Sequence, residues 1–412
     1  MATLITLDNY LSLDKDNLTS VKIDSEITND AFLIFISKVF NLTSLDCSGC
    51  KNITSIPELP NLTKLVCYEC KGLTSIHHLP NLTYLDCHSC ILLTDLPLFP
   101  NLNTLVCSEC YKLTNIPVLP NLIYLDCHRC ELLTSIPVLP NLTELDCYNC
   151  IGLMDIPELP NLTNLDCYRC ELLTTIPVLP NLTSLSCSGC EKIKCIPKLS
   201  NLTTLDCDQC NRIRCLPDLP KLTYLNCQGS KLLTTIPVFL NLTTLYCRGC
   251  NRLNGIPVLP NLTYLNCGEC KKLKRIPELP NLTELDCYLC NRLKCIPYLP
   301  NLTTLDCKWC KLITTIPVLP NLTTLDCGVC DRLTCISELP NLTSLNCYSC
   351  HSLTSIPDLP NIINLDCSMC KLLRKIPNLP SLTNLDNSGC SMIISMPVFP
   401  NLKILNNTSI TY

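Results

Sequence analysis

Residues 41–60 read NLTSLDCSGCKNITSIPELP, and residues 281–300 read NLTELDCYLCNRLKCIPYLP. From Asn41 to Pro400 the chain divides into eighteen such units of 20 residues with no insertion, and NLKILNNTSITY at 401–412 adds a half unit. The consensus is N-L-T-x-L-D-C-x-x-C-x-x-L-T-x-I-P-x-L-P. A period of this length marks units that bury their apolar faces only by stacking on one another. So regular a repeat predicts one continuous solenoid across 41–400, with no internal domain boundary.

Within each unit, positions 2, 5 and 7 are apolar (Leu42, Leu45 and Cys47 in the first), and positions 4 and 6 are mostly polar. That alternation predicts a short strand with one buried face. Position 10 is Cys, and positions 13, 16 and 19 are mostly Leu or Ile. Prolines at 17 and 20 forbid a helix there, because each removes a donor and restricts the residue before it. Apolar spacing of three with proline fits an extended, polyproline-like return path. Each unit is therefore a strand, a turn and an extended return, and stacked strands form a parallel sheet.

Composition agrees. The chain holds 38 Cys and 32 Pro but only 10 Gly, and its only alanines are Ala2 and Ala31. A chain so poor in the best helix former is not a helical bundle. Low glycine excludes collagen, and 47% hydrophobic content excludes simple disorder. A net charge of −4 gives no global basic footprint for nucleic acid or acidic membranes. The longest unbroken apolar run, Ala31 to Ile36, is far below the roughly 20 residues a membrane helix needs. Met1 to Asn17 has no basic or apolar leader region, and Asp8, Asp14 and Asp16 stand where a signal peptide would be apolar. The expectation is an intracellular, cytoplasmic and largely reduced protein that is not secreted.

The run L-x-x-L-x-C-x-x-C-x-x-L resembles the leucine-rich-repeat signature, with Cys replacing the usual Leu and Asn. The I-P-x-L-P tail is similar to the short 20-residue class of bacterial effector repeats, and C-x-x-L-T to the cysteine-containing class. The cysteine-doubled unit most resembles repeat proteins of giant amoeba-infecting viruses. The resemblance implies an almost helix-free leucine-rich-repeat horseshoe of the α/β class. Its parallel sheet would line a concave, protein-binding face opposite an extended convex side.

The ends depart from the pattern. Leu18, Val21, Ile23 and Ile27 look like a degenerate repeat, and Asn29 to Phe40 predicts a short helix capped by Thr28 or Asn29. Residues 1–40 read as an N-terminal cap. In the last turns the core cysteines become Asn387 and Asn407, as expected for terminal repeats facing water. A strand at 402–410 would leave an open edge able to pair with another copy, although a monomer is favoured.

Cysteine fills position 7 in all units except at Asn387, and position 10 in all except at Ser230; four more, Cys195, Cys215, Cys295 and Cys335, stand at position 15. C-x-x-C is half of a zinc knuckle. Recurrence in step with Leu on every turn instead favours packing, with the position-10 thiol donating to a backbone carbonyl inside the turn. Metal and disulfide readings remain as alternatives, and the position-15 cysteines are the candidates for exposed thiols. The frequent N-L-T triplets are glycosylation sequons in form, but their Asn and Thr read as turn-forming side chains bonded to the backbone. The five histidines, His77, His78, His88, His128 and His351, show no pairing with Ser or Asp that would serve catalysis. No Walker loop, nucleophile elbow or metalloprotease helix appears, so the expectation is a protein that is not an enzyme and needs no cofactor.

Positions 4, 6, 8 and 9 should face outward from the sheet or its rim. They carry Tyr68, Tyr84, Tyr124, Tyr148, Tyr168, Tyr224, Tyr246, Tyr264, Tyr288 and Tyr348, with Trp309. Such amphipathic aromatics dominate protein interfaces. Position 6 is Asp in eleven units, Asp126 among them. Two readings stand for that column: a solvated face, or an acidic, tyrosine-studded trough for a basic partner. Residues 181–320 carry 17 Lys/Arg against 9 Asp/Glu. Many of these cations (Lys194, Arg212, Arg214, Lys272, Lys274, Arg292, Lys294) would line one lateral flank as a candidate anion site. The leading expectation is therefore a non-enzymatic scaffold that binds a protein, a host protein if the chain is viral. Polyanion or nucleic-acid binding by the flank and thiol or metal binding are the alternatives.

Overall fold

Each repeat contributes one three-residue strand at its positions 4 to 6, pairing in parallel with its counterparts one turn away. The structure, a computed structural model, describes residues 2–13 and 17–406. These fall into two compact units, Met1–Leu202 and Thr203–Tyr412. In the first unit strands run from Thr3–Ile5 and Ser20–Ile23 through Ser44–Asp46 to Ser184–Ser186. In the second they run from Thr204–Asp206 to Ile404–Asn406. Register is the repeat itself: Leu125 faces Leu145 and Leu145 faces Leu165 in one unit, and Leu285 faces Leu305 in the other.

The expected core positions are buried. In the first repeat Leu42, Leu45, Cys47, Cys50, Ile53 and Ile56 are all sealed from solvent. The return path is extended, and short pairings such as Ser55–Ile56 with Ser75–Ile76 and Thr315–Ile316 with Cys335–Ile336 occur along it. Among the described residues the one α-helix is Asn29–Ile36, with Thr28 as its cap accepting from the Ala31 N–H at 3.3 Å. It ends before the predicted Phe40, at Ser37, whose N–H closes on the Leu33 carbonyl. Val21, Ile23 and Ile27 are buried as the degenerate repeat requires, whereas Leu18 is only half-buried. The strand Thr3–Ile5, which the sequence did not disclose, pairs with Ser20–Ile23 and buries Ile5.

The turn after each strand has a fixed chirality. Position 9 is left-handed in all eighteen repeats, with φ from 54° to 74°. Five of these residues are Gly; the others include Val329, Leu289, Trp309 and Met369. This conformation aims the amide at the next turn, as when Glu69 N–H donates to the His88 carbonyl at 2.8 Å.

The last turns are looser. Asn387 does not face water: it is 4% exposed, its side-chain oxygen has no partner, and its amide nitrogen lies 3.2 Å from the Met396 sulfur. Ile394 is 97% and Val398 87% exposed, because no complete repeat of the described residues covers them. Ile404–Asn406 pairs back onto Asn384–Asp386. Asn407 and the remainder of the expected open strand lie outside the described residues.

Candidate functional site

Three side-chain columns build the surface before any function enters. The position-10 thiol donates to the position-7 carbonyl one turn earlier: Cys70 to Cys47 at 2.9 Å, Cys130 to Cys107 at 3.1 Å, Cys290 to Cys267 at 3.1 Å. Ser230 makes the same bond with its hydroxyl, to Cys207 at 3.2 Å. Packing with an internal hydrogen bond thus accounts for the repeated C-x-x-C. The neighbouring position-10 thiol, together with burial, raises position-7 thiols such as Cys127 well above their ordinary range. Cys50 is pushed up to about 12, chiefly by burial. Cys195, Cys215, Cys295 and Cys335 are exposed, as expected.

The sequon residues form the second column. Asn81 donates from its side chain to the Pro60 carbonyl at 2.7 Å, and Thr83 from its hydroxyl to the Thr63 carbonyl at 3.0 Å. The pattern repeats in the second unit, as at Asn301 and Thr303. These side chains serve the backbone of the adjacent turn rather than their own. They line open furrows such as the one of about 710 Å³ between Asn41 and Asn121, where these amide and hydroxyl donors are already engaged.

The third column is position 6. Its carboxylate or amide oxygen accepts the N–H two residues on: Asp146 from Tyr148 at 3.0 Å, Asp166 from Tyr168 at 2.9 Å, Asn346 from Tyr348 at 3.2 Å. Asp therefore caps the turn leaving the strand, a role that neither the solvated-face nor the trough reading contains. Burial, with the neighbouring carboxylates, raises Asp146 and Asp286 above the usual carboxylate range. At Asp46 burial pushes the same way, but the Ser48 hydroxyl and amide and Lys22 hold the carboxyl below it.

The predicted aromatics stand half-buried along this face, with Trp309 39% exposed at the turn. In the first unit Tyr68 stacks on His88 at 4.7 Å, and His128, Tyr148 and Tyr168 follow one another at 5.7 and 5.5 Å. Lys64 sits 5.0 Å over Tyr84. In the second unit Tyr224, Tyr246 and Tyr264 form a run at 5.8 and 4.9 Å. Tyr288 donates to Glu269 at 2.7 Å between Arg248 and Lys308, and burial with that bond pushes it up to about 12. Its ring lies over Gly268 one turn earlier, where an added Cβ would come within 2.5 Å of it. Tyr348 occupies the equivalent place over Gly328. Tyr124, Tyr348 and Trp309 join no ring cluster among the described residues.

Two histidines lie against carboxylates two residues earlier: His88 Nδ1 is 2.8 Å from Asp86 and His128 Nδ1 2.7 Å from Asp126. Charges at positions 8 and 9 were also missed. Arg129 pairs with Glu109 at 2.9 Å and reaches the Tyr148 hydroxyl at 3.3 Å, and Arg248 pairs with Glu269 at 2.6 Å. The flank residues are all exposed: Lys194 in the first unit, and Arg212, Arg214, Lys272, Lys274, Arg292 and Lys294 in the second.

A family model described as Leucine Rich repeats (2 copies) matches residues 180–221. Together with the parallel 20-residue solenoid turn, it supports a leucine-rich-repeat protein. No curated protein and no solved structure matches the chain significantly.

Proposed function

We propose that the protein is a non-enzymatic scaffold that binds a protein partner on its sheet face, the concave one by resemblance. The observation that carries this is the run of half-buried tyrosines in ring contact, set beside paired charges. Two χ angles and a polar tip let such rings gain contact area at low entropic cost. Stacked neighbours restrict them further, so less freedom is lost on association. The resemblance to giant-virus repeat proteins favours a partner from the host and residence in the host cytoplasm. The test is affinity capture from amoebal lysate with the native protein and with Tyr124, Tyr148 and Tyr168 all changed to Ala. A partner lost with the triple variant supports the site; the same partner retained, with the circular dichroism of both proteins equal, removes it.

One observation favours a second reading. Lys272, Lys274, Arg292 and Lys294 are exposed in two successive repeats, and none makes an ion pair among the described residues. A polyanion bound there would lose affinity steeply with salt. A flat salt dependence of heparin binding would eliminate it.

A further inference from the structure

We propose that Asp126, His128 and Asp146 form a site for one divalent transition-metal ion on the sheet face of the unit Met1–Leu202. One ligand atom from each lies within 4.8 Å of the other two, and His128 Nδ1 is already 2.7 Å from an Asp126 oxygen. Imidazole and carboxylate ligands stand at about 2.0–2.2 Å from such an ion, so donors sit roughly 3–3.5 Å apart. A side-chain rotation of about an ångström closes the third arm on that geometry.

The protein prepares the donors. Each carboxylate uses its Oδ1 to hold the turn N–H, of His128 at 3.1 Å and of Tyr148 at 3.0 Å. That bond fixes each carboxyl while its Oδ2 takes no hydrogen bond among the described residues, the arrangement that outer-shell groups impose on metal ligands. Asp126 and His128 are 13% and 27% exposed, which leaves the site partly desolvated yet open to entry. Local charge invites a cation. Asp126, Asp146 and Asp166 are neighbours in register, and the nearby Arg129 is taken up by Glu109. Beside the cluster lies a hollow of about 240 Å³ lined by Tyr124, Glu144, Asp146, Asn164 and Asp166, with room for water on the remaining coordination positions. An imidazole in the donor set selects zinc, cobalt or nickel over calcium or magnesium, which take oxygen alone.

The chain contains its own control. Asp86 and His88 repeat the pair at 2.8 Å, but the residue in register on the next turn is Val106, so that copy has only two donors.

The test is Co²⁺ titration of the full-length reduced protein, read by visible absorption. Ligand-field bands without thiolate charge transfer mark oxygen and nitrogen ligation and set it apart from binding to cysteine. One equivalent is expected. His128→Ala and Asp146→Asn should each weaken binding by about tenfold or more, His88→Ala should leave it unchanged, and Val106→Asp should add a second equivalent. Bands that carry thiolate charge transfer alone overturn the proposal. So does binding that survives His128→Ala, or an equal loss in His88→Ala. Circular dichroism of Asp146→Asn, which keeps the capping oxygen, separates lost ligation from lost folding.

Discussion

Cys130 offers the sharpest test of why the repeat carries two cysteines. Its sulfur is fully buried and donates to the Cys107 carbonyl at 3.1 Å, the one hydrogen bond that carbonyl accepts among the described residues. Cys130→Ala strands that carbonyl, at a cost of about 1–3 kcal/mol. It also removes one buried sulfur, worth about 1 kcal/mol in transfer and cavity terms. The sum is a loss of roughly 2–4 kcal/mol. Cys130→Ser keeps a donor at the same place, as Ser230 does naturally, and should cost less than about 1 kcal/mol. At position 7 the order reverses. Cys127 is sealed and its sulfur makes no hydrogen bond to a carbonyl among the described residues, so Cys127→Ser buries a hydroxyl poorly matched, at about 1–3 kcal/mol. Cys127→Ala loses only about 1 kcal/mol of burial. Urea unfolding followed by circular dichroism, with m compared across the four variants, measures each difference. If Cys130→Ser proves as costly as Cys130→Ala, the hydrogen-bond account of position 10 is wrong and size alone governs the column.

Other outcomes follow from the same cross-section. Val329→Gly should stabilise the protein by up to about 1 kcal/mol in urea, because relief of a β-branched residue held at φ 58° exceeds the added chain entropy; a net loss would contradict it. Asp146 has its folded pKa raised, so the folded state binds the proton more tightly than the unfolded one. Its contribution is therefore favourable at low pH and lost as pH rises through the carboxylate range. Asp146→Asn should accordingly raise the urea midpoint at pH 7 and leave it nearly unchanged near pH 3, and a gain equal at both pH values would exclude this cause. In the native reduced protein a thiol reagent should react quickly at Cys195, Cys215, Cys295 and Cys335 and reach the buried cysteines only in denaturant. Rapid reaction beyond these four would show that the core opens readily.

Much of the cross-section was legible because its signals are periodic. Alternation at Leu42, Leu45 and Cys47 names the strand, proline names the return, and a small polar-capable residue at position 10 names its carbonyl partner. What escaped notice depends on contacts between like positions one turn apart. Asn81 and Thr83 looked like local turn residues, yet their bonds reach Pro60 and Thr63. The left-handed bend at position 9 was masked because only five of its eighteen residues are Gly, the bend being imposed by the stack rather than by local preference. The Asp126–His128 contact joins residues that alternation assigns to one face, but only the tight turn brings the imidazole back onto the carboxylate. Thr3–Ile5 was missed because its register, Thr3 against Val21, does not keep the 20-residue step.

The asparagine and threonine columns bear on how such a gene can change. The threonine bonds reach the threonine carbonyl 20 residues back, as from Thr83 to Thr63, and the asparagine bonds reach a carbonyl 21 residues back, as from Asn81 to Pro60, so successive turns repeat the same donors and acceptors. Loss or duplication of one repeat's worth of coding sequence restores an identical junction, whereas an insertion of any other length misaligns both columns at once. Recombination between repeats can therefore alter the length of the chain without inventing a new interface, and selection against partial repeats keeps the period uniform.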